Sequence, residues 1–254
     1  MSESHGLAFT DVGSGPCVVL IHGLTFNRSA WSPIIDRVSG LLRCVAIDLP
    51  GHGQSTGSMS PWELPARIDQ LVRELQIEAP VVVGHSLGGA VAMVSAAHVR
   101  TSGVVTIDQS PDVASMAPMA RAIAPALDGP GFDQAWGMAR QSIGRHLVAE
   151  PLRTQLLAED EAKPEVIRAY WADLIADPEA LQRRVNGDLA RVTVPVLAVF
   201  GHQLEEVETT AVSAALPQAD VQIEQWPGAG HCAHLVEPDR FARLLVDFVS
   251  RCAT

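Results

Sequence analysis

The chain has 254 residues, 47% of them hydrophobic and only 5% aromatic, enough for one α/β core built from Val, Leu, Ile and Ala plus an inserted segment. Its formal net charge of −11 repels phosphate backbones and anionic headgroups, which argues against nucleic acid and membrane partners and leaves a small molecule as the expected one. Four unpaired-looking cysteines, a polar stretch at residues 1–6 and the absence of a long apolar run predict a cytoplasmic protein with no metal, cofactor or disulfide framework.

Residues 7–12 read as an antiparallel strand ended by Gly13-Ser14-Gly15, and any strand before it is expected to be short or missing. Runs at 17–21 (CVVLI), 43–48 (RCVAID), 81–84 (VVVG), 103–108 (GVVTID) and 194–200 (VPVLAVF) are apolar throughout rather than alternating. They predict parallel strands covered on both faces. Between them, Ser60-Pro61-Trp62-Glu63 fits a capping box opening a helix with Ile68, Leu71, Val72 and Leu75 on one face. A last strand is expected over 221–226. The final helix starts near Pro238 and presents Phe241, Leu244, Leu245, Phe248 and Val249 as one stripe. The alternation predicts a doubly wound, mostly parallel sheet. It breaks only over 111–190, where helical patterns between prolines predict an inserted lid. There Met116, Met119, Trp136, Met138, Tyr170 and Trp171 either line an adaptable apolar pocket or simply pack the helices.

The pattern G-x-S-x-G occurs twice. Gly53-Gln54-Ser55-Thr56-Gly57 lies in a polar loop, so Ser55 reads as a loop residue. Gly84-His85-Ser86-Leu87-Gly88 follows VVVG directly and runs into an Ala/Val/Met helix, the strand, tight turn and helix that expose a nucleophilic serine. A serine needs a base. Of nine histidines, His231 stands out, because Gly228-Ala229-Gly230 shape a loop between the last strand and the last helix. His234 reads as packing or as a bond at the helix start, and a zinc reading of His231-x-x-His234 lacks a carboxylate motif. Backbone N–H groups of Leu24, in His22-Gly23-Leu24, and of Leu87 are candidates for an oxyanion hole, with His22 itself structural.

The set of His22-Gly23, Asp48-Leu49-Pro50-Gly51-His52-Gly53-Gln54-Ser55, Gly84-His85-Ser86-Leu87-Gly88-Gly89 and Gly230-His231 resembles the α/β-hydrolase superfamily in order and spacing. The resemblance implies a core of residues 1–111 and 191–254 and a helical cap of 112–190 that sets specificity. It also implies a Ser-His-acid triad working through an acyl-enzyme. One position departs from the family pattern: the loop after the penultimate strand, where G-x-x-D is usual, reads Gly201-His202-Gln203-Leu204. The acid is therefore expected at Asp108, as in branches that include lactone hydrolases and cofactor-free dioxygenases, with Glu205 as the alternative and Asp48 a turn residue. Asp108 could instead merely cap the entry to the lid. These features predict hydrolysis of an ester, lactone or thioester of moderately apolar character. The competing expectations are cofactor-free oxygenation of a quinolone-type ring with His231 as base, and a slow or non-enzymatic ligand receptor.

Overall fold

The computed structural model describes residues 2–4, 6–57, 59–142, 145–158 and 162–253. Its eight strands are β1 (Ser2–Ser4), β2 (Leu7–Val12), β3 (Cys17–Ile21), β4 (Arg43–Ile47), β5 (Val81–His85), β6 (Gly103–Ile107), β7 (Val196–Phe200) and β8 (Val221–Gln225). They form one sheet in the order β1-β2-β4-β3-β5-β6-β7-β8. The β1–β2 and β2–β4 pairs are antiparallel; every later pair is parallel. The strand expected ahead of β2 exists and spans three residues.

The helices are α1 (Ser32–Val38), α2 (Leu64–Glu74), α3 (Leu87–Ser95), α4 (Ala117–Ile123), α5 (Phe132–Ser142), α6 (Leu152–Ala158), α7 (Pro164–Ala176), α8 (Pro178–Leu189), α9 (Glu206–Ala214), α10 (Ala233–Val236) and α11 (Pro238–Cys252). Apolar residues on the two faces of each central strand enter different clusters. Val19, Ile21, Val45, Ile47, Val82 and Val104 pack with residues of α2, α3 and α8. Val18, Leu20, Ala46, Val83 and Val105 pack with residues of α1 and α11. Strands buried on both sides have no polar face to show, which is why these runs do not alternate. On α11 Phe241, Leu245, Phe248 and Val249 are buried, and Leu244 lies half-buried at the edge of the stripe.

The expected capping box at Ser60 does not form. Pro61–Glu63 is a 3-10 turn, Ser60 Oγ lies 3.4 Å from Asp173 Oδ2, and α2 begins at Leu64. The cause is Pro65. It has no N–H to give the Pro61 carbonyl, so the first turn closes one residue tighter, through Glu63 N–H to Ser60 O and Leu64 N–H to Pro61 O. Leu75 is the C-cap of α2 and, half-buried, packs against the same core cluster as Ile68, Leu71 and Val72.

Between β6 and β7 the described residues form only helices, α4 to α8 with intervening 3-10 turns. No described helix is long and apolar enough to cross a membrane.

Candidate active site

Ser86 sits between β5 and α3 with φ 53° and ψ −124°, a backbone conformation that costs a non-glycine residue on the order of 1–3 kcal/mol. Neighbouring bonds hold it there: Ser86 N–H donates to Ile107 O at 2.9 Å, and its carbonyl accepts from Gly89 N–H at 2.7 Å. The turn is so tight that a Cβ on Gly84 would stand 2.0 Å from Gly88 O. Glycine is required where strand and helix cross this closely.

Asp108 directly follows β6 next door and is also strained, at φ 49°. Its Oδ2 lies 2.6 Å from His231 Nδ1, and its Oδ1 accepts from Gly201 N–H at 3.0 Å. Burial pushes the Asp108 carboxyl up, but the His231 hydrogen bond and charge, the Gly201 N–H and the nearby His202 outweigh it, so the group is held below its ordinary value. With Nδ1–H donated to Asp108, His231 keeps Nε2 as the nitrogen that can accept a proton.

The loop after β7 is occupied otherwise. Leu204 is buried with Ala198, Phe200 and Val212, and its N–H donates to Gln225 Oε1 at 2.7 Å. Glu205 is exposed and starts α9, where it closes a capping box with Glu208; its own N–H donates to Glu208 Oε2 at 2.8 Å. The structure thus brings Asp108 to His231 and places Glu205 in a helix cap. A feature that motif reading passed over is His202, whose Nδ1 stands 3.2 Å from Asp108 Oδ1. Its only sequence signal was its place just after β7.

After β3 the chain turns sharply, with Phe26 N–H donating to Gly23 O at 3.1 Å and Thr25 at φ 66°. Two buried histidines brace this turn. His22 Nε2 accepts from Leu49 N–H and its Nδ1 lies 2.8 Å from Gly23 O; His52 Nε2 accepts from Thr25 N–H and its Nδ1 lies 3.1 Å from Pro50 O. Each therefore carries its proton on Nδ1 and is neutral; desolvation by burial is the main reason both titrate below the usual range. Leu24 and Leu87 both border the cavity described below, and among the described residues neither N–H has a protein acceptor. Leu87 N–H also opens α3, where the helix end favours negative charge.

His85 lies under the base. Its Nε2 donates to His231 O at 2.9 Å, and its ring sits 4.8 Å from that of His231 and 4.7 Å from that of His234. His234 is buried against Trp31, with a ring separation of 4.9 Å, so it packs, as expected. Ser55 Oγ donates to Asp48 O and accepts from Ala8 N–H, and Asp48 pairs with Arg28; both are structural.

Ser86, His231 and Asp108 open onto one cavity of about 350 Å³ at the carboxyl ends of the strands. Met116, Met119, Trp136, Tyr170 and Trp171 line it, joined by Trp62 and Phe26. Met138 does not; it is 66% exposed. Trp62 and Phe26 could not be assigned to the wall from sequence, since each lies in the core segment and meets the insertion only through tertiary packing.

A mostly parallel sheet with a serine elbow at the crossing of its central strand and helix defines an α/β-hydrolase type of fold. Residues 18–244 match the model of the alpha/beta hydrolase family, and the chain belongs to that family. It is 28% identical over 256 residues to a pimeloyl-[acyl-carrier protein] methyl ester esterase of Yersinia enterocolitica, covering 95% of this chain and 96% of the relative. Among solved structures it resembles a thermophilic esterase from Thermogutta terrifontis, with a TM-score of 0.73, 24% identity, and 98% and 94% of the two chains covered. It also resembles a protein that recognises and cleaves the ring of the Pseudomonas quinolone signal, with a TM-score of 0.77, 18% identity and 96% of each chain covered.

Proposed function

We propose that this protein hydrolyses a carboxylic ester, lactone or thioester of a small, neutral and moderately apolar molecule. Residues 112–190 would form the specificity cap and residues 1–111 and 191–254 the catalytic core. The observation that carries the reading is the 2.6 Å contact between His231 Nδ1 and Asp108 Oδ2, made on the wall of the cavity that also holds Ser86.

In this reading Ser86 Oγ attacks the carbonyl carbon while His231 Nε2 takes its proton. The oxyanion is met by the N–H groups of Leu24 and Leu87. Collapse of the tetrahedral intermediate breaks the bond to the leaving oxygen or sulfur, which receives the proton from His231. Water then attacks the acyl-enzyme with His231 again as base, releasing the acid and restoring Ser86. Asp108 stays ionised throughout, holds the tautomer of His231 and offsets the charge of its imidazolium. The name of the Yersinia relative supports ester chemistry.

The described wall carries no lysine or arginine, while Asp112 lines it beside the apolar residues. Buried charges need partners, so neutral acyl groups fit and carboxylate-bearing ones do not. The test is hydrolysis of p-nitrophenyl esters. Butyrate and hexanoate should turn over at least about 10-fold faster than the hemisuccinate, a difference of roughly 1.4 kcal/mol, and Ser86→Ala and His231→Ala should each abolish burst and turnover. Equal rates for the charged ester would contradict the neutral-substrate reading. Oxygen uptake on a quinolone that survives Ser86→Ala but not His231→Ala would replace hydrolysis with ring oxygenation. Saturable binding of these esters without turnover would make the chain a receptor.

A further inference from the structure

Asp108 faces two imidazoles. One carboxylate oxygen meets His231 Nδ1 at 2.6 Å; the other, already accepting from Gly201 N–H, stands 3.2 Å from His202 Nδ1. The Asp108 side chain is 12% exposed whereas that of His202 is 56% exposed, so the second imidazole is open to solvent while the carboxylate is largely shielded from it. His202 is placed beside Asp108 by the turn that follows β7, with its ring edge-to-face on Phe200 at 5.8 Å. We propose that His202 is a positioning residue that tunes the triad through Asp108: when protonated it shares the carboxylate's charge and so weakens the support Asp108 gives to a protonated His231. The inference rests on the triad reading above.

Histidine is the side chain whose charge changes between about pH 5 and 8. A cation on His202 opposes a second cation on His231, with Asp108 between them. It therefore keeps His231 in its neutral, base-competent form to lower pH than a neutral side chain would. The other titratable groups around this point are buried or engaged elsewhere. His85 and His234, on the inner side of His231, are buried and held neutral chiefly by desolvation. Cys232 is buried and its thiol is pushed up to about 12 by burial. Arg145, which acts on His85 and Cys232, is a permanent cation buried against Phe26 and Thr25. Glu205, farther along the His202 loop, is engaged at the start of α9. Among the described residues His202 is thus the exposed imidazole beside Asp108.

The test is the pH dependence of the rate of Ser86 modification by a fluorophosphonate, which reports the protonation of His231 in the free enzyme. His202→Gln, which keeps a polar side chain without charge, should move the acid limb upward by about 0.5 pH unit; His202→Lys, a cation across the range, should move it downward by a similar amount. Both shifts should shrink in about 1 M salt, where the screening length falls to about 3 Å. Both variants alter an exposed side chain, and circular dichroism checks their folding. A residue that merely packed would lower the rate at every pH and leave the limb in place. Coincident acid limbs in all three proteins, with Ser86 labelled in each, would overturn the inference alone. No labelling of Ser86 in the wild type would overturn the triad reading and this inference with it.

Discussion

Three residues in this site hold a positive-φ backbone without being glycine, Thr25 at φ 66°, Ser86 at φ 53° and Asp108 at φ 49°. Such strain persists only where surrounding bonds over-determine it, and it gathers at sites of chemistry. For Asp108 the restraint is visible: its N–H donates to Val199 O at 2.7 Å while its side chain takes Gly201 N–H and His231. Asp108→Asn should therefore keep the fold and lower kcat on the order of 10³–10⁴-fold, because an amide can present its N–H to His231 and favour the wrong tautomer. Glu205→Gln should leave kcat within about 2-fold and cost no more than about 1 kcal/mol in urea unfolding, the scale of a helix N-cap. The candidate nucleophile and base were legible from local order, since Ser86 follows a strand and opens a helix and His231 follows glycines. The contact of Asp108 with His231 spans 123 residues. Only the missing aspartate at Leu204 pointed toward it. The His202 contact left no signal beyond that residue's place just after β7.

At the scale of elements, the strand ends are joined by close backbone approaches that spare no room for a methyl group. Besides the elbow at Gly84, a Cβ on Gly201 would fall 1.8 Å from Gly230 O, and Gly230 N–H donates to Gly201 O at 2.9 Å. This crossing ties the loop after β7 to the loop that carries His231, with Gly201 N–H also on Asp108. Gly201→Ala should lower the urea midpoint by the equivalent of at least about 2 kcal/mol. It should also reduce kcat more than KM changes, because the two loops it displaces carry Asp108's donor and His231. A fall in stability with unchanged kcat would show that the crossing does not position the base. Element type and order were readable from apolar runs and periodicity. The start of α2 was misread because a Ser-x-x-Glu pattern was weighed without Pro65, whose missing N–H decides how the first turn closes.

At the scale of the whole molecule, four histidines lie buried among the described residues: His22, His52, His85 and His234 all titrate below the ordinary value, chiefly through desolvation, and for His234 the value falls to about 3. In the unfolded chain each takes up a proton near pH 6.5. Below that pH the unfolded state binds more protons than the folded one, so stability is full above about pH 6.5 and declines as pH falls toward the folded values. Each histidine adds about 1.4 kcal/mol per pH unit to the slope within that window. Urea midpoints should therefore drop steeply between pH 7 and 5. His234→Phe, which removes an Nδ1 that has no partner among the described residues and keeps a ring against Trp31 and Phe241, should flatten that slope by about one histidine's share. An unchanged slope would mean that His234 is protonated in the fold. The α/β architecture as a whole was legible because doubly covered strands leave a simple pattern. The cavity was legible only in part: Met116, Met119, Trp136, Tyr170 and Trp171 were readable as pocket candidates, whereas Trp62 and Phe26 meet them only after folding.

The central claim is that Ser86 is activated by His231 under Asp108, and the most direct measurement is mass-spectrometric mapping of a fluorophosphonate adduct, with its rate, in wild type, Asp108→Asn and Glu205→Gln. The account predicts a single adduct on Ser86, formed at wild-type rate in Glu205→Gln and slowed at least about 100-fold in Asp108→Asn, a barrier increase of about 2.7 kcal/mol. Labelling that is absent from Ser86 in the folded wild type, or equally fast in Asp108→Asn, would contradict it.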